Sequence, residues 1–570
     1  MISLTSHSIL NSSLLKVTLM IFLIGSLSTA QAQNASSPDW LIKKTEWTEA
    51  DEKAYSEFIA ALGAAVEKKE CSSLNSCLQH KNNPYRGSDI QNLNVFADCA
   101  KLSYILRGYF AWKNALPYSI ANSMKLRDVP ENSGDKRYSK FGNQVSSRLD
   151  FVPRLKNGVW TIPKAVQSLQ QTIPDSVNSA NFRFSYENSD LDKLFTDYYP
   201  ISIDRLSLRP GTIIYDPNGH VAIVYKVTDD GRIYFIDAHP DNSLTSGLYG
   251  TKFVRSNPGQ GAGFKNFRPI RYVGGQYDPN LGSYVGGSIE PVLNKNLKDF
   301  DLVQFFGTSR KPRPDWPKGP FILNQTALDY YDYVRTQLSK GNLKLNPANE
   351  VKALSQDLCQ TIQDRAEAVQ AAIKAGLQYK THPDRLPENI YGTSGEWEEF
   401  STPSRDARLK TTFVELRKLV ETLNKKFEQH DPQIVYTGID LKKDMLTAYL
   451  ETSNQCLVQY QKSNSNQQVT LNLEQVRSRL FQLSFDPYHC IERRWGASDP
   501  TELNGCTDET NDSQKTIWYQ AEQRLRNQIE RRYDVKMDFN LNDLNSGSKP
   551  GTGVDSAPDT DVIQYLMTSP

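Results

Sequence analysis

The sequence predicts an α+β fold, in which an antiparallel sheet and a cysteine-bearing helix are followed by an all-α helical C-terminal region. Residues 84–269 mix one helix-like stretch with turn-rich loops and β-rich runs. Beyond about Phe321 the apolar residues recur at helical spacing within long charged stretches. The Pro-rich stretch 307–321 lies between these two patterns and predicts a linker, because proline forbids helix and disfavours a central strand.

A chain of 570 residues exceeds what one hydrophobic core usually serves, so we expect several domains. The patterns predict a signal peptide at 1–32, a helical lead-in at 33–80, an α+β domain at 81–306 with an insertion at about 125–205, the linker at 307–321, a helical domain at 322–544 and a disordered tail at 545–570. Within the helical domain, the predicted helices lie near 324–339, 346–377, 404–429, 438–463, 470–484 and 513–533.

The N-terminal residues have the pattern of a cleaved secretion signal. The apolar run from Val17 to Leu27 is short for a membrane span, follows Lys16 and precedes a small-residue site at Ala30 to Ala32. Cleavage is expected near Ala32 and Gln33, which places the mature protein in the periplasm or outside the cell, without membrane contact. The alternative is that the apolar run stays uncleaved as a membrane anchor. The 66 basic and 65 acidic residues nearly cancel, and without a basic stripe nucleic-acid binding is not expected.

The seven cysteines allow one thiol to stay unpaired in an oxidising compartment. Plausible bridges are Cys71 with Cys77, Cys490 with Cys506, and Cys359 with Cys456, although spacing alone leaves the connectivity open. Cys99 is then the unpaired residue.

Cys99 follows a polar loop and stands in the first turn of a predicted helix, with Asp98 as a possible N-cap. Unsatisfied N–H groups at a helix start stabilise a thiolate, so we expect a lowered pKa for this thiol. The alternative is a small, buried and inert cysteine.

Two β-rich runs, 221–227 and 232–238, are joined by Asp230 and Gly231, a hairpin signal. With these as the two turn residues, His220, Asp237 and His239 share one face of the hairpin. A loop one residue longer would move the two later groups to the opposite face. An imidazole that deprotonates a thiol needs a third group to orient it, and Asp237 and His239 both qualify.

These motifs resemble the NlpC and CHAP cell-wall peptidases and amidases of the papain-like superfamily, over about a third of the chain. The resemblance is carried by Pro84-Tyr85-Arg86-Gly87, Asp98-Cys99-Ala100-Lys101-Leu102, Arg209-Pro210-Gly211-Thr212 and Gly219-His220-Val221-Ala222-Ile223-Val224. It implies a papain-like domain with Cys99 as nucleophile, His220 as base and Asp237 or His239 as the third residue. It also implies that Tyr85 helps to shape the oxyanion site.

We therefore expect an exported cysteine hydrolase that cleaves amide bonds in peptidoglycan or related peptides through a Cys99 thioester. The alternatives are a transglutaminase-like acyl transferase and a catalytically silent papain-like scaffold, in which the helical half binds a protein partner. No cofactor and no metal are expected. His489 precedes Cys490, but without a second ligand pair at zinc-like spacing a disulfide fits that cysteine better.

Overall fold

The structure is a computed structural model that describes residues 37–127, 135–186, 192–255, 257–392, 395–508, 512–533 and 535–568. The chain folds as a mixed α/β protein whose strands pair in antiparallel fashion. The predicted signal peptide lies outside the described residues. Within those residues, no helix combines the length and the apolar character that crossing a bilayer requires.

The helices are α1 (Glu49–Glu67), α2 (Leu74–Gln79), α3 (Cys99–Lys113), α4 (Ala165–Gln167), α5 (Ile173–Ser176), α6 (Val303–Phe306), α7 (Tyr330–Leu338), α8 (Pro347–Lys374), α9 (Glu396–Phe400), α10 (Pro403–Glu428), α11 (Leu441–Gln455), α12 (Leu473–Ser478), α13 (Ile491–Arg494), α14 (Pro500–Leu503), α15 (Gln514–Ala521), α16 (Gln523–Asn527), α17 (Leu541–Ser546) and α18 (Val562–Met567). The strands are β1 (Ser119–Leu126), β2 (Asn143–Asp150), β3 (Arg154–Lys156), β4 (Val159–Thr161), β5 (Tyr198–Pro200), β6 (Ile213–Tyr215), β7 (Val221–Val227), β8 (Ile233–Ala238), β9 (Leu244–Leu248), β10 (Gly263–Phe267), β11 (Ile270–Asp278), β12 (Ser283–Pro291), β13 (Phe321–Leu323), β14 (Thr326–Leu328), β15 (Leu457–Gln461) and β16 (Gln468–Asn472).

A six-stranded antiparallel sheet in the order β5-β10-β6-β7-β8-β9 forms the centre of the N-terminal half. Helices α1 and α3 pack on β7 and β8. Helix α3 begins where Asp98 accepts hydrogen bonds from the N–H groups of Ala100 and Lys101. Its residues from Leu102 to Trp112 are buried, so the helix that begins at Cys99 runs through the core.

Two predicted boundaries in this half need correction. The lead-in at 33–80 is not separate, since α1 packs on β7, β8 and β9 within the same core. The approach is so close that a side chain at Gly63 would overlap the ring of Tyr225. The insertion at 125–205 also ends earlier than expected, because residues 198–200 form β5 of the central sheet.

The hairpin of β7 and β8 reaches the predicted arrangement by a different register. Its last pair is Val227 with Ile233, so the loop is longer than two residues. That shift alone would place the later polar groups on the wrong face. A bulge at Tyr225 shifts the register again, so that Ile223 pairs with Ile236 and the original parity is restored. The bulge therefore keeps Asp237 on the face of His220.

The C-terminal half is not all-α. Helices α8, α10 and α11 pack together as expected. However, β15 and β16 form a hairpin at the end of the helix predicted at 438–463 and at the start of the one predicted at 470–484. Val458 and Tyr460 are buried while their neighbours in the strand are exposed, a period of two that fits a strand. Strands β13 and β14 form a second hairpin after the linker.

The predicted disordered tail also needs correction. Helix α18 packs on α10 and α11, and Val562 and Leu566 belong to their hydrophobic core. The low-complexity composition of 545–558 concealed this short amphipathic segment that follows it.

The three predicted disulfides are confirmed. They join Cys71 to Cys77, Cys359 to Cys456 and Cys490 to Cys506, and Cys99 is free. The bond from Cys359 ties the middle of α8 to the end of α11. Such bonds are typical of proteins that work outside the cytoplasm.

Candidate active site

A cavity of about 190 Å³ lies where the start of α3, the start of β7 and the end of β8 meet. Cys99, His220 and His239 line it. The backbone N–H of Val221, the residue after His220, hydrogen-bonds to the thiol of Cys99. The contact brings the first residue of α3 against the first residue of β7, so the predicted cysteine and histidine share one cavity.

The electrostatics of Cys99 differ from the expectation of a lowered pKa. Burial raises the pKa of the thiol to about 12, and the carboxylate of Asp98 adds to the rise. The hydrogen bond from Val221 acts in the opposite direction but is outweighed. Burial therefore dominates over the helix start, and Cys99 is a neutral thiol near neutral pH.

His220 is held by Asp237. Its Nε2 lies 2.7 Å from Oδ2 of the carboxylate, which leaves Nδ1 of the ring for a second partner. Burial lowers the pKa of His220, and the charge of Arg408 adds to the effect. Asp237 is itself buried, yet the charges of His239 and His220 and a hydrogen bond from His220 hold its pKa well below the usual range. The pair thus consists of a neutral imidazole and an ionised carboxylate.

His239 contacts the same carboxylate from another side. Thr245 donates its hydroxyl to Oδ1 of Asp237 and accepts at 2.9 Å from Nε2 of His239, which lies 3.7 Å from that oxygen. Burial and the charge of Arg405 lower the pKa of His239 to about 3. Of the two candidates for the orienting group, Asp237 is therefore the one in hydrogen-bond contact with His220.

Tyr85 does not lie at the cavity, which corrects its expected role. Its hydroxyl pairs with the amide of Asn114, the C-cap of α3, and its ring packs on Phe58. A helix of this length separates its two ends by about 20 Å. The segment before Cys99 runs back along α3, so that Tyr85 lies at the C-terminal end of the helix, away from the thiol at its N-terminal end.

The structure adds functional candidates from the C-terminal half that the sequence did not indicate. Arg405 and Arg408 on α10 line the cavity, as do Arg531 and Tyr533. The spacing of three residues puts the two α10 arginines on one helix face, which is the available sequence signal. Nothing in the sequence indicated that this face meets Cys99, because more than 300 residues separate them.

Of these arginines, two are paired and one is not. Arg405 lies 2.9 Å from Asp241, and Arg531 lies 2.5 Å from Asp216. Within the described part of the chain, Arg408 has no carboxylate within 4 Å. Burial lowers its pKa, while the charge of Asp237 favours its charged form. An unpaired cation lining a cavity is suited to bind an anionic group.

The cavity also carries carboxylates, from Asp98, Asp241, Glu398 and Glu399. Burial raises the pKa of Glu398, with a further rise from the charge of Asp98. Groups of potential metal ligands in the described residues lie elsewhere, at Cys490, Cys506 and Asp508 and at His382, Asp486 and Glu522. The first of these includes two sulfurs that are joined in a disulfide.

Comparison with protein-family models, with curated proteins and with solved structures finds no match to this chain.

Proposed function

We propose that the chain is a cysteine hydrolase of papain-like arrangement that cleaves amide bonds in peptidoglycan or related peptides. One observation carries the proposal: the one free thiol among the seven cysteines opens a helix beside an imidazole that a buried carboxylate orients. A nucleophile, a base and an orienting group in one cavity are the parts that acyl transfer requires.

The roles follow from the protonation states. Nε2 of His220 is engaged by Asp237, so Nδ1 takes the proton of Cys99 as the sulfur attacks the carbonyl carbon of the substrate. The bond to the leaving nitrogen breaks when His220 returns that proton to the amine, and a thioester on Cys99 remains. Water then attacks the thioester while His220 removes its proton. The bond between carbon and sulfur breaks, the carboxylic acid is released, and His220 returns the proton to the sulfur to restore the thiol.

The developing oxyanion needs hydrogen-bond donors. Asp98 already accepts from the N–H groups of Ala100 and Lys101. The N–H of Cys99 in the same first turn is the donor that we assign to the oxyanion. This replaces the role that the resemblance gave to Tyr85.

The charges in the cavity favour a zwitterionic peptide. Arg408 is available for a carboxylate, and Glu398 and Glu399 for an amine. A cell-wall peptide that carries both groups close to the scissile amide bond would match this pocket. The C-terminal half then supplies part of the substrate pocket, which gives it a role in catalysis as an alternative to binding a protein partner.

The disulfides and the predicted signal peptide support action outside the cytoplasm, where such substrates occur. The test is digestion of purified peptidoglycan by the disulfide-intact protein, with Cys99→Ala beside the exposed-residue control His430→Ala. We expect the control to release soluble peptides and Cys99→Ala to release none. Equal release by both would refute the proposal. Addition of a primary amine separates hydrolysis from transfer, since a transferase yields amine adducts.

A further inference from the structure

A second polar cluster lies in the C-terminal half, apart from the cavity of Cys99. His382, Asp486, His489 and Glu522 are fully buried, and come from the loop after α8, the loop between α12 and α13, and the junction of α15 and α16. We propose that these four residues bind one divalent transition-metal ion, and that Zn²⁺ is the best chemical match.

Ligand atoms of His382, Asp486 and Glu522 all lie within 4.8 Å of one another, and His489 approaches Asp486 and Glu522. Nε2 of His382 is hydrogen-bonded to Oδ2 of Asp486 at 2.7 Å, and Nε2 of His489 lies 3.7 Å from the same oxygen. Nε2 of His489 is 3.9 Å from Oε2 of Glu522. Neighbouring ligands of a tetrahedral Zn²⁺ with bonds of about 2.0–2.1 Å stand about 3.4 Å apart. The separations of 3.7 and 3.9 Å lie near that value, and the ion would replace the hydrogen bond between His382 and Asp486.

The cluster contains polar atoms that the protein leaves unsatisfied. Within the described residues, Nε2 of His489 and both carboxylate oxygens of Glu522 are buried without a partner at hydrogen-bond distance. Nε2 of His489 and Nη1 of Arg526 each lie 3.9 Å from Oε2 of Glu522. Such groups are costly to bury, so each needs an explanation. A cation at the centre of the cluster would satisfy Nε2 of His489 and one carboxylate oxygen of Glu522 at once.

The outer contacts hold both imidazoles in the orientation of metal ligands. Nδ1 of His382 lies 2.6 Å from the carbonyl oxygen of Pro383, and Nδ1 of His489 lies 3.0 Å from a carboxylate oxygen of Asp508. When each Nδ1 donates its proton to an oxygen, each Nε2 presents a lone pair towards the other ligands. An oxygen partner on the far ring nitrogen is the usual companion of a metal-bound histidine.

The surroundings identify a structural site. Trp518 stacks on His382 with 4.3 Å between ring centroids, and the edge of Tyr519 meets His489. The four residues are enclosed by protein, with Arg526 at 3.9 Å from Glu522 and Arg493 at 3.3 Å from Asp508. This closed arrangement leaves no position for substrate, unlike a catalytic zinc site. Two imidazole nitrogens and two carboxylate oxygens suit Zn²⁺ better than the all-oxygen sets that Ca²⁺ and Mg²⁺ prefer.

The site ties the folding of the C-terminal half to the catalytic cavity. The N–H of Thr402 donates to the carbonyl of Phe485, next to Asp486, at the point where α10 begins. That helix carries Arg405 and Arg408 into the cavity. A metal that fixes the segment around Asp486 therefore also fixes the start of α10.

The test measures metal in the full-length protein with its disulfides intact, produced with Zn²⁺ and passed through gel filtration. We expect about one zinc per chain by elemental mass spectrometry, and less than about one tenth in His489→Gln and Glu522→Gln. His430→Gln, an exposed histidine, is the matched control and keeps its zinc. Cys99→Ser also keeps it, which separates this site from metal bound at the catalytic thiol.

Wild-type protein gives a second measurement that needs no variant to fold. A strong chelator should lower Tm by at least about 5 °C, and added Zn²⁺ should restore it. Bound Co²⁺ should show the intense visible bands of a tetrahedral site. The proposal would be overturned if wild-type protein contains no zinc and its Tm changes with neither the chelator nor Zn²⁺. Loss of zinc in Cys99→Ser would also overturn it. Neither outcome depends on hydrolase activity.

Discussion

The carboxylate of Asp237 lies 2.7 Å from Nε2 of His220, on the neighbouring strand of the same hairpin. The contact sets the tautomer of the ring and turns Nδ1 away from the carboxylate. Thr245 fixes the carboxylate in turn by donating its hydroxyl. The proposed catalytic base is thus positioned by a chain of buried hydrogen bonds.

Loss of the Asp237 charge should slow acylation. In Asp237→Asn the ring loses its ionised partner, and we expect kcat on peptide substrates to fall on the order of 10²–10⁴-fold with little change in KM. Asp229→Asn, at an exposed position of the same hairpin, is the control and should behave as wild type. Steady-state kinetics check this, and an unchanged kcat in Asp237→Asn would rule out the orienting role.

The reactivity of Cys99 should rise steadily with pH. Because burial raises the pKa of the thiol to about 12, the thiolate fraction increases about tenfold per pH unit between pH 6 and 10. The rate of iodoacetamide alkylation, followed by mass spectrometry, should have the same slope. A plateau across this range would show a preformed ion pair with His220. Slow alkylation at pH 7 is therefore expected of the enzyme as well as of a silent scaffold.

Arg408 should act on substrate binding. Since its guanidinium has no carboxylate partner among the described residues, Arg408→Ala removes the partner for a substrate carboxylate, and we expect KM to rise about tenfold or more. Arg408→Lys should recover part of the loss. For amidated peptides, which lack the carboxylate, KM should differ little between wild type and Arg408→Ala. Equal sensitivity to both kinds of peptide would argue against carboxylate recognition.

His239 should make the fold sensitive to acid. Its folded pKa of about 3 lies below the ordinary value of 6.5, so the unfolded state binds the extra proton between these pH values. Stability conferred by the neutral ring is present above pH 6.5 and falls as the pH drops towards 3, by up to about 1.4 kcal/mol per pH unit. We expect His239→Gln to flatten the pH dependence of unfolding by denaturant in this window. An identical slope in the variant would contradict the buried neutral ring.

The long disulfide should contribute more stability than the short one. Cys359 and Cys456 close a separation of 97 residues, whereas Cys71 and Cys77 close one of 6. Loop-closure entropy predicts a loss of about 5 kcal/mol for the double variant Cys359→Ala/Cys456→Ala and about 2 kcal/mol for Cys71→Ala/Cys77→Ala. Thermal unfolding compares the two. Equal destabilisation would show that chain entropy does not dominate.

The sequence predicted the local parts of the site and missed those that depend on distant packing. Short-range sequence patterns predict both the capped helix at Cys99 and the hairpin that carries His220 and Asp237. No such pattern predicts the bulge at Tyr225. Asp237 lies on the predicted face of the hairpin only because this bulge compensates for a loop that is longer than two residues.

The lowered thiol pKa was predicted from the helix start alone, and it was wrong because the sequence does not show how far the fold removes the half-buried Cys99 from water. In the same way, the approach of Arg408 to the cavity and the meeting of His382 with Glu522 join segments far apart in the chain. Residue spacing within one helix or strand does not predict contacts between distant segments.

The most direct test of the central claim is a rapid acid quench of wild-type protein with a peptide substrate, followed by intact-mass and peptide mapping. We expect a covalent acyl adduct on Cys99 that hydroxylamine removes, and its absence in Cys99→Ala. Turnover that proceeds in Cys99→Ala, or an adduct on another residue, would contradict a thioester mechanism at this site.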